Sequence, residues 1–264
     1  MTKNTIPRLL SQIFPHGSKD SNLTIRRIRF SNAIFRLIWT GIMCGFCLVG
    51  FKGLSWWPSS IWGSGSTREC WNLKGSLVLP SPNWNNDALP LTYFYLSQLS
   101  YHLSSFLLTL LTSSYTRTSL KKTGLLSHTI ELTLLCGSYV LESTRRVGVL
   151  CIFVFCGSQF SINLYQAIQN STFPTTHPKL TYLTFYTLIL LPYLYFRFYV
   201  FPFVIFRSVL FESGEWLEMM SLATEVWVAR SAWIWFSVFL GGLGVMNFYY
   251  GVRLVKMRPK GFWM

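Results

Sequence analysis

Six blocks of apolar residues, each long enough to cross a lipid bilayer, set the terms on which this chain can fold. A bilayer core takes roughly 20 residues of helix to span. The blocks run roughly 34–53, 91–112, 124–142, 147–168, 180–211 and 232–252. They predict an all-α fold, a polytopic membrane helix bundle of about six transmembrane helices. The fifth block is too long for one straight crossing and holds Pro192 and Pro202. It predicts either a kinked, tilted helix or a helix followed by a re-entrant piece.

Composition supports a membrane as the solvent. Hydrophobic residues make up 51% of the 264 positions and aromatic ones 17%, while only 12% are charged. Soluble domains spend about 25% of their residues on charge. The net charge of +14 does not point to nucleic acid, because the basic residues fall mostly in short segments between apolar blocks. No basic face interleaved with aromatics is present, so no nucleic-acid partner is expected.

Charge placement also predicts orientation. Lys3, Arg8, Lys19, Arg26, Arg27 and Arg29 put the N-terminal segment in the cytosol. Alternation then places Arg117, Lys121 and Lys122 there, with Arg253, Lys256, Arg258 and Lys260 of the tail. Glu212, Glu215, Glu218 and Glu225 fall on the far side. Arg145 and Arg146 do so too, against the rule. The organisation expected is a cytosolic basic segment over 1–30, a transmembrane domain over 31–256 and a short cytosolic tail over 257–264. Residues 1–30 have no apolar core before Phe30, so the first membrane helix is expected to act as the targeting signal.

Cys44, Cys47, Cys136, Cys151 and Cys156 lie in apolar blocks and read as small hydrophobes, leaving Cys70 in a loop. A disulfide framework is not expected. Cys44 and Cys47 form a C-x-x-C without a second ligand pair, and no metal is expected there. Trp56, Trp57 and Trp62, and likewise Trp227, Trp233 and Trp235, read as interfacial belts. Residues 54–90 suit a loop lying on the headgroups, and 169–179 a turn-rich connection. Gly241, Gly242 and Gly244 read as a site of close helix approach. The sequons at Asn22 and Asn170 face the cytosol in this topology and are expected to stay unmodified.

The segment from Thr123 to Gln166 carries a more specific signal: TGLLSHTIELTLLCGSYVLESTRRVGVLCIFVFCGSQFSINLYQ. It resembles the central motif of the ceramide synthases, members of the TLC-domain (TRAM, Lag1, CLN8) superfamily. That motif runs as a His-His pair, a Ser-Tyr, an Arg-x-Gly-x-Leu and a His-Asp-x-x-Asp. His128 falls on the second His of the pair, Ser138 and Tyr139 on the Ser-Tyr, and Arg146, Gly148 and Leu150 on the Arg-x-Gly-x-Leu. RECW at Arg68–Trp71 is similar to the family's Cys-Trp. YFYLSQLSYHLS at Tyr93–Ser104 is similar to its Tyr-rich helix, with Gln98 where a Glu is usual. RFYVFPFVIFRSVLFESGE at Arg197–Glu215 is the closest stretch. Together these cover about residues 27–256. The resemblance implies a start after the family's extra N-terminal membrane helix and the homeobox-like segment of many members, which would agree with the expected cytosolic N-terminus.

The resemblance implies a membrane protein of the endoplasmic reticulum in sphingolipid and ceramide biosynthesis. Its partners would be membrane lipids (a sphingoid base, a fatty acyl-CoA and ceramide) and a homo- or hetero-oligomer with ceramide synthases. No bound cofactor is implied, only acyl-CoA as co-substrate. The family's reaction moves an acyl group from acyl-CoA to a sphingoid-base amine and relies on intramembrane His and Asp. Imidazole can serve there as nucleophile or base, oriented by a carboxylate. Here Ser127 replaces the first His of the pair, Phe155 and Cys156 the His-Asp, and Gln159 the last Asp. Phenylalanine can do neither task, which implies an activity lost or altered.

The polar groups left inside the apolar blocks are the candidate site. His128 and Glu131, three residues apart, share a helix face and are the candidate catalytic pair. They read either as a surviving His–carboxylate couple or as a hydrogen-bonded pair reachable by water. Gln98 and His102 are spaced i, i+4 and suit interhelical hydrogen bonding. Gln98, Arg146, Gln159 and Arg197 are the candidate lipid-binding residues. Gln159 and Asn163 would line the cavity or tie helices. Arg197 would meet an acyl-CoA phosphate or pair within the protein. The competing function is a non-enzymatic TLC-domain lipid sensor, transport or trafficking factor. An unrelated channel or carrier would show inverted repeats, and none is seen.

Overall fold

A computed structural model describes residues 21–71, 88–111, 118–140, 144–171, 180, 183–214 and 226–256. The basic segment before residue 21, Arg117, the loop stretches 72–87 and 172–179, the residues Glu215, Glu218 and Glu225, and the tail 257–264 lie outside the described residues. So do the side chains of Asn22, Lys121, Lys122, Ser127, Trp227, Arg253 and Lys256.

Helices occupy all six apolar blocks. They are α1 (Ser21–Phe51), α2 (Ala88–Leu111), α3 (Thr118–Val140), α4 (Arg145–Asn170), α5 (Phe185–Glu212) and α6 (Val226–Lys256). Two 3₁₀ turns, Ser59–Ile61 and Thr67–Trp71, follow α1. No strand occurs among the described residues. Arg26–Phe51, Arg145–Asn170 and Phe185–Glu212 are long and apolar enough to cross a membrane, and Trp233–Tyr249 is a shorter apolar helix. The protein is therefore an all-α membrane protein of the helix-bundle class. α2 falls short of that apolarity because Gln98, His102 and its serines and tyrosines interrupt the leucines.

The fifth block forms one continuous helical run, which decides between the two readings of its length. The run is π-wound over Phe185–Leu190, Tyr195–Phe206 and Ser208–Glu212, with an α turn at Leu191–Leu194. Proline lacks an N–H, and its ring collides with the carbonyl four residues back. The wider i→i+5 turn displaces that carbonyl, which suits Pro202, while Pro192 sits at the start of the short α turn. As an α-helix, 28 residues would reach about 42 Å, well beyond a core of about 30 Å. Wider winding shortens the run.

The described chain divides into two compact units. One is drawn from the segments up to Cys44, Phe155–Phe198 and from Met246 on; the other from Gly45–Val154 and Tyr199–Val245. In the first, Phe185, Ile189 and Tyr193 form a buried cluster covered by Ile162, Tyr165 and Phe198. Tyr193 Oη donates to the Asn247 carbonyl at 3.3 Å.

In the second unit the connection after α1 folds into its own core. Trp56 and Trp57 are fully buried, with ring centroids 5.4 and 6.0 Å from Phe51, and Trp57 lies 5.0 Å from Phe153. Trp57 Nε1 donates to the Ile61 carbonyl at 2.9 Å. These two residues are not interfacial belts, contrary to the sequence expectation. Their indole surface is covered by protein aromatics, and the Trp57 N–H is satisfied by the backbone. Trp62 and Trp235 are exposed, whereas Trp233 donates to Val209 O and Ser213 Oγ, both at 3.0 Å.

The Thr67–Trp71 turn is pinned to the end of α5. Thr67 Oγ1 donates to Glu212 Oε2 at 2.7 Å and Trp71 Nε1 to Ser208 Oγ at 2.9 Å. Arg146 Nη1 reaches the Glu69 carbonyl at 3.3 Å. A second tie joins α2, α3 and the start of α4. Tyr95 Oη donates to the Arg145 carbonyl at 2.8 Å and lies 3.0 Å from Ser138 Oγ. Gly148 makes that approach feasible, because a Cβ there would collide with the Tyr95 hydroxyl and the Ser138 side chain.

Among the described residues, the expected close approach at Gly241 and Gly242 is not found. A Cβ at either would meet nothing described within 4 Å, and one at Gly244 would make an ordinary 3.8 Å contact with Phe201.

Two glycines therefore make opposite predictions. Gly148→Ala is expected to cost about 1–3 kcal/mol through overpacking. Gly45→Ala, with open space at its Cβ, should stabilise α1 by up to about 1 kcal/mol. Thermal unfolding of both variants in one detergent checks this, and equal effects would refute the packing assignment.

Candidate functional site

In the second unit α2 packs against α3, and their polar residues meet between the two helices. His102 projects from α2, and His128 and Glu131 from adjacent turns of α3. The i, i+3 spacing puts the last two on one face. His102 Nδ1 lies 2.9 Å from Glu131 Oε2, and His128 Nδ1 lies 3.7 Å from the same oxygen. The two Nδ1 atoms are 3.4 Å apart. Both histidines are buried, and Glu131 is largely so. Gln98, one turn before His102, is fully buried on α2.

Burying an unpartnered carboxylate is expensive, and an imidazole at hydrogen-bond distance offsets that cost. The close contact is His102–Glu131, whereas 3.7 Å is too long for a hydrogen bond. His128 Nδ1 is thus within a long hydrogen bond of His102 Nδ1 and just beyond one from Glu131. Such an arrangement can move a proton, bind a polar headgroup or ligate a cation.

Of the residues singled out in the sequence, the structure brings together His128 and Glu131. It adds His102, which the sequence suggested only as a helix tie paired with Gln98. The signal for His102 was its place in an apolar helix, but nothing in the linear sequence aligned it with His128. Arg146 is half-buried and bonds the Glu69 carbonyl.

Arg197 belongs to the other unit. Its Nε donates to Ser158 Oγ at 2.6 Å, its Nη1 donates to Asn247 Oδ1, and its guanidinium sits 3.9 Å above the Phe155 ring. A mid-helix arginine is thereby given polar and aromatic partners inside the protein. On α4, Gln159 is half-buried while Phe155, Cys156 and Asn163 are buried.

All six cysteines are free thiols. Cys70, in the turn outside the membrane helices, is buried with Sγ 3.6 Å from the Trp56 carbonyl. Burial pushes its thiol well above the usual range, Arg146 opposing in part.

These helices and this cluster define an integral membrane protein whose polar chemistry is enclosed between helices. A family model described as the TLC domain (TRAM_LAG1_CLN8) matches residues 29–256. The chain belongs to the TLC-domain family, which supports a membrane function connected with lipids. A comparison with curated proteins gave no match.

Because the thiolate is the reactive form, Cys70 is expected to resist alkylation in the native protein even at mildly alkaline pH. It should react fully once the chain is unfolded. Peptide mapping by mass spectrometry after maleimide treatment checks this; equal labelling in both states would show the turn is open.

Proposed function

We propose that the protein is a ceramide synthase-type acyltransferase of the endoplasmic reticulum membrane, with both termini in the cytosol. It would transfer a fatty acyl group from acyl-CoA to a sphingoid-base amine at the His102–His128–Glu131 cluster. The observation that carries this reading is the 3.4 Å separation of His102 and His128. The family motif has two adjacent histidines, and Ser127 removes the first of them. A second imidazole nevertheless stands beside His128, supplied by α2.

In this reading His128 is the general base. The neutral amine nitrogen attacks the thioester carbonyl, the C–N bond forms, and the C–S bond breaks to release the CoA thiolate. The imidazole takes the amine proton and returns it to the sulfur. Glu131, anchored by His102 at 2.9 Å, offsets the positive charge that develops on His128. Enclosure between membrane helices strengthens that interaction relative to water. Gln98, Arg146, Gln159 and Arg197 are the lipid-binding candidates, with Arg146 suited to a phosphate only if it leaves the Glu69 carbonyl.

The lipid-binding alternative draws on a different observation. Phe155, which stands at the histidine of the family's His-Asp, lies against Arg197 and is buried at 7% exposure. That position does packing work here, as a protein that only senses or carries a lipid would permit.

Acyl transfer by the purified protein in micelles, with labelled sphingoid base and a panel of acyl-CoAs, separates the two. His128→Ala is expected to lower the rate on the order of 10²–10⁴-fold. His102→Ala should also lower it while leaving His128 in place. No product from correctly folded wild-type protein would sink the acyltransferase reading and leave lipid binding.

A further inference from the structure

The same three side chains have the geometry of a metal site. The atoms His102 Nδ1, His128 Nδ1 and Glu131 Oε2 form a triangle with sides of 2.9, 3.4 and 3.7 Å. The point equidistant from its corners lies about 2.0 Å from each, which is the length of a zinc–nitrogen or zinc–oxygen bond. Hydrogen bonding accounts for the 2.9 and 3.4 Å sides of the triangle, whereas the 3.7 Å side exceeds its range. A cation just out of the plane would lie within bonding distance of all three atoms.

We infer that His102, His128 and Glu131 form a mononuclear site for a divalent transition metal. Two imidazoles and one carboxylate are a donor set suited to zinc, and to iron or cobalt where positions stay open. Three protein ligands leave at least one coordination position for water or a lipid oxygen. The carboxylate halves the charge of a dication, and burial between helices shields it from competing water. The expectation from the sequence that no metal binds considered only the C-x-x-C and did not bring His102 to the pair.

The metal site stands apart from the acyltransfer reading, whereas its role as a switch rests on that reading. Metal and proton compete for the same atoms. An imidazole that ligates through Nδ1 keeps its proton on Nε2 and cannot serve as a base. Metal occupancy would therefore switch the proposed acyl transfer off, and chelation would switch it on.

The test uses the full untagged chain in micelles, stripped with chelator and titrated with Zn²⁺ and Co²⁺. Expected are one zinc per chain and a visible cobalt spectrum of nitrogen and oxygen ligation, lacking the charge-transfer band of thiolate ligation. Glu131→Gln and His102→Ala should weaken binding beyond the roughly 10–100-fold that losing a mere orienting residue costs. The wild-type cobalt spectrum keeps the test decisive if a variant fails to fold. Absent or sulfur-type cobalt bands, or zinc retained equally by folded variants, would overturn the site. Acyl transfer that persists with zinc in excess would overturn the switch. Stoichiometric zinc with no acyl transfer under any condition would sink the acyltransferase reading and leave the metal site standing.

Discussion

Hydrocarbon offers no hydrogen-bond partner, so every polar side chain on these helices must find one in the protein or pay several kcal/mol. That constraint organises the polar residues into discrete nodes rather than a diffuse scatter. Between α2, α3 and the start of α4 the node is Tyr95, Ser138 and the Arg145 carbonyl. Further along α2 and α3 it is His102, His128 and Glu131. In the other unit it is Arg197 with Ser158, Asn247 and the Phe155 ring. Serine and threonine elsewhere on the helices solve the problem locally. Ser97, Ser100, Thr129 and Thr133 each bond the carbonyl one turn back.

The nodes give the family-like motifs a physical meaning that is mostly structural. Gly148 has no side chain because the Tyr95 hydroxyl and Ser138 occupy the space a Cβ would need. Thr67 and Trp71 are fixed by Glu212 and Ser208, so the turn carrying the Cys-Trp and the end of the Arg197–Glu215 stretch are two sides of one contact. Arg146 then ties the start of α4 to the same turn through Glu69. Several residues that mark the resemblance thus hold helices together, and their presence says little about chemistry. Chemistry has to be argued from the cluster on α2 and α3.

Much of the fold was legible because bilayer thickness imposes a length on apolar blocks, and each block became a helix. The π winding of α5 was not legible beyond its excess length and two prolines. What failed had a common cause. Trp56, Trp57, Gly241 and Gly242 were read from residue type, whereas their environments depend on what packs against them. The tryptophans met Phe51 and Phe153 and went inside, while the glycines met nothing described. For the site, His128 and Glu131 were visible because three residues of helix bring them to one face. His102 is 26 residues away from His128, and no periodicity connects residues on different helices.

The changes at Ser127 and Phe155 have different consequences when each is seen with its neighbours. Losing an imidazole at Ser127 leaves His128 beside another, because α2 brings His102 to 3.4 Å. At Phe155 the ring lies under a guanidinium. A protonated imidazole there would be repelled by Arg197, while a phenyl ring offers the cation its negative face. The aromatic residue suits that neighbour better than a titrating one, and Ser158 and Asn247 complete the arginine's surroundings. The α4 position has therefore become part of the scaffold that holds a buried cation. Among the described residues, the remaining cluster of two imidazoles and a carboxylate lies on α2 and α3.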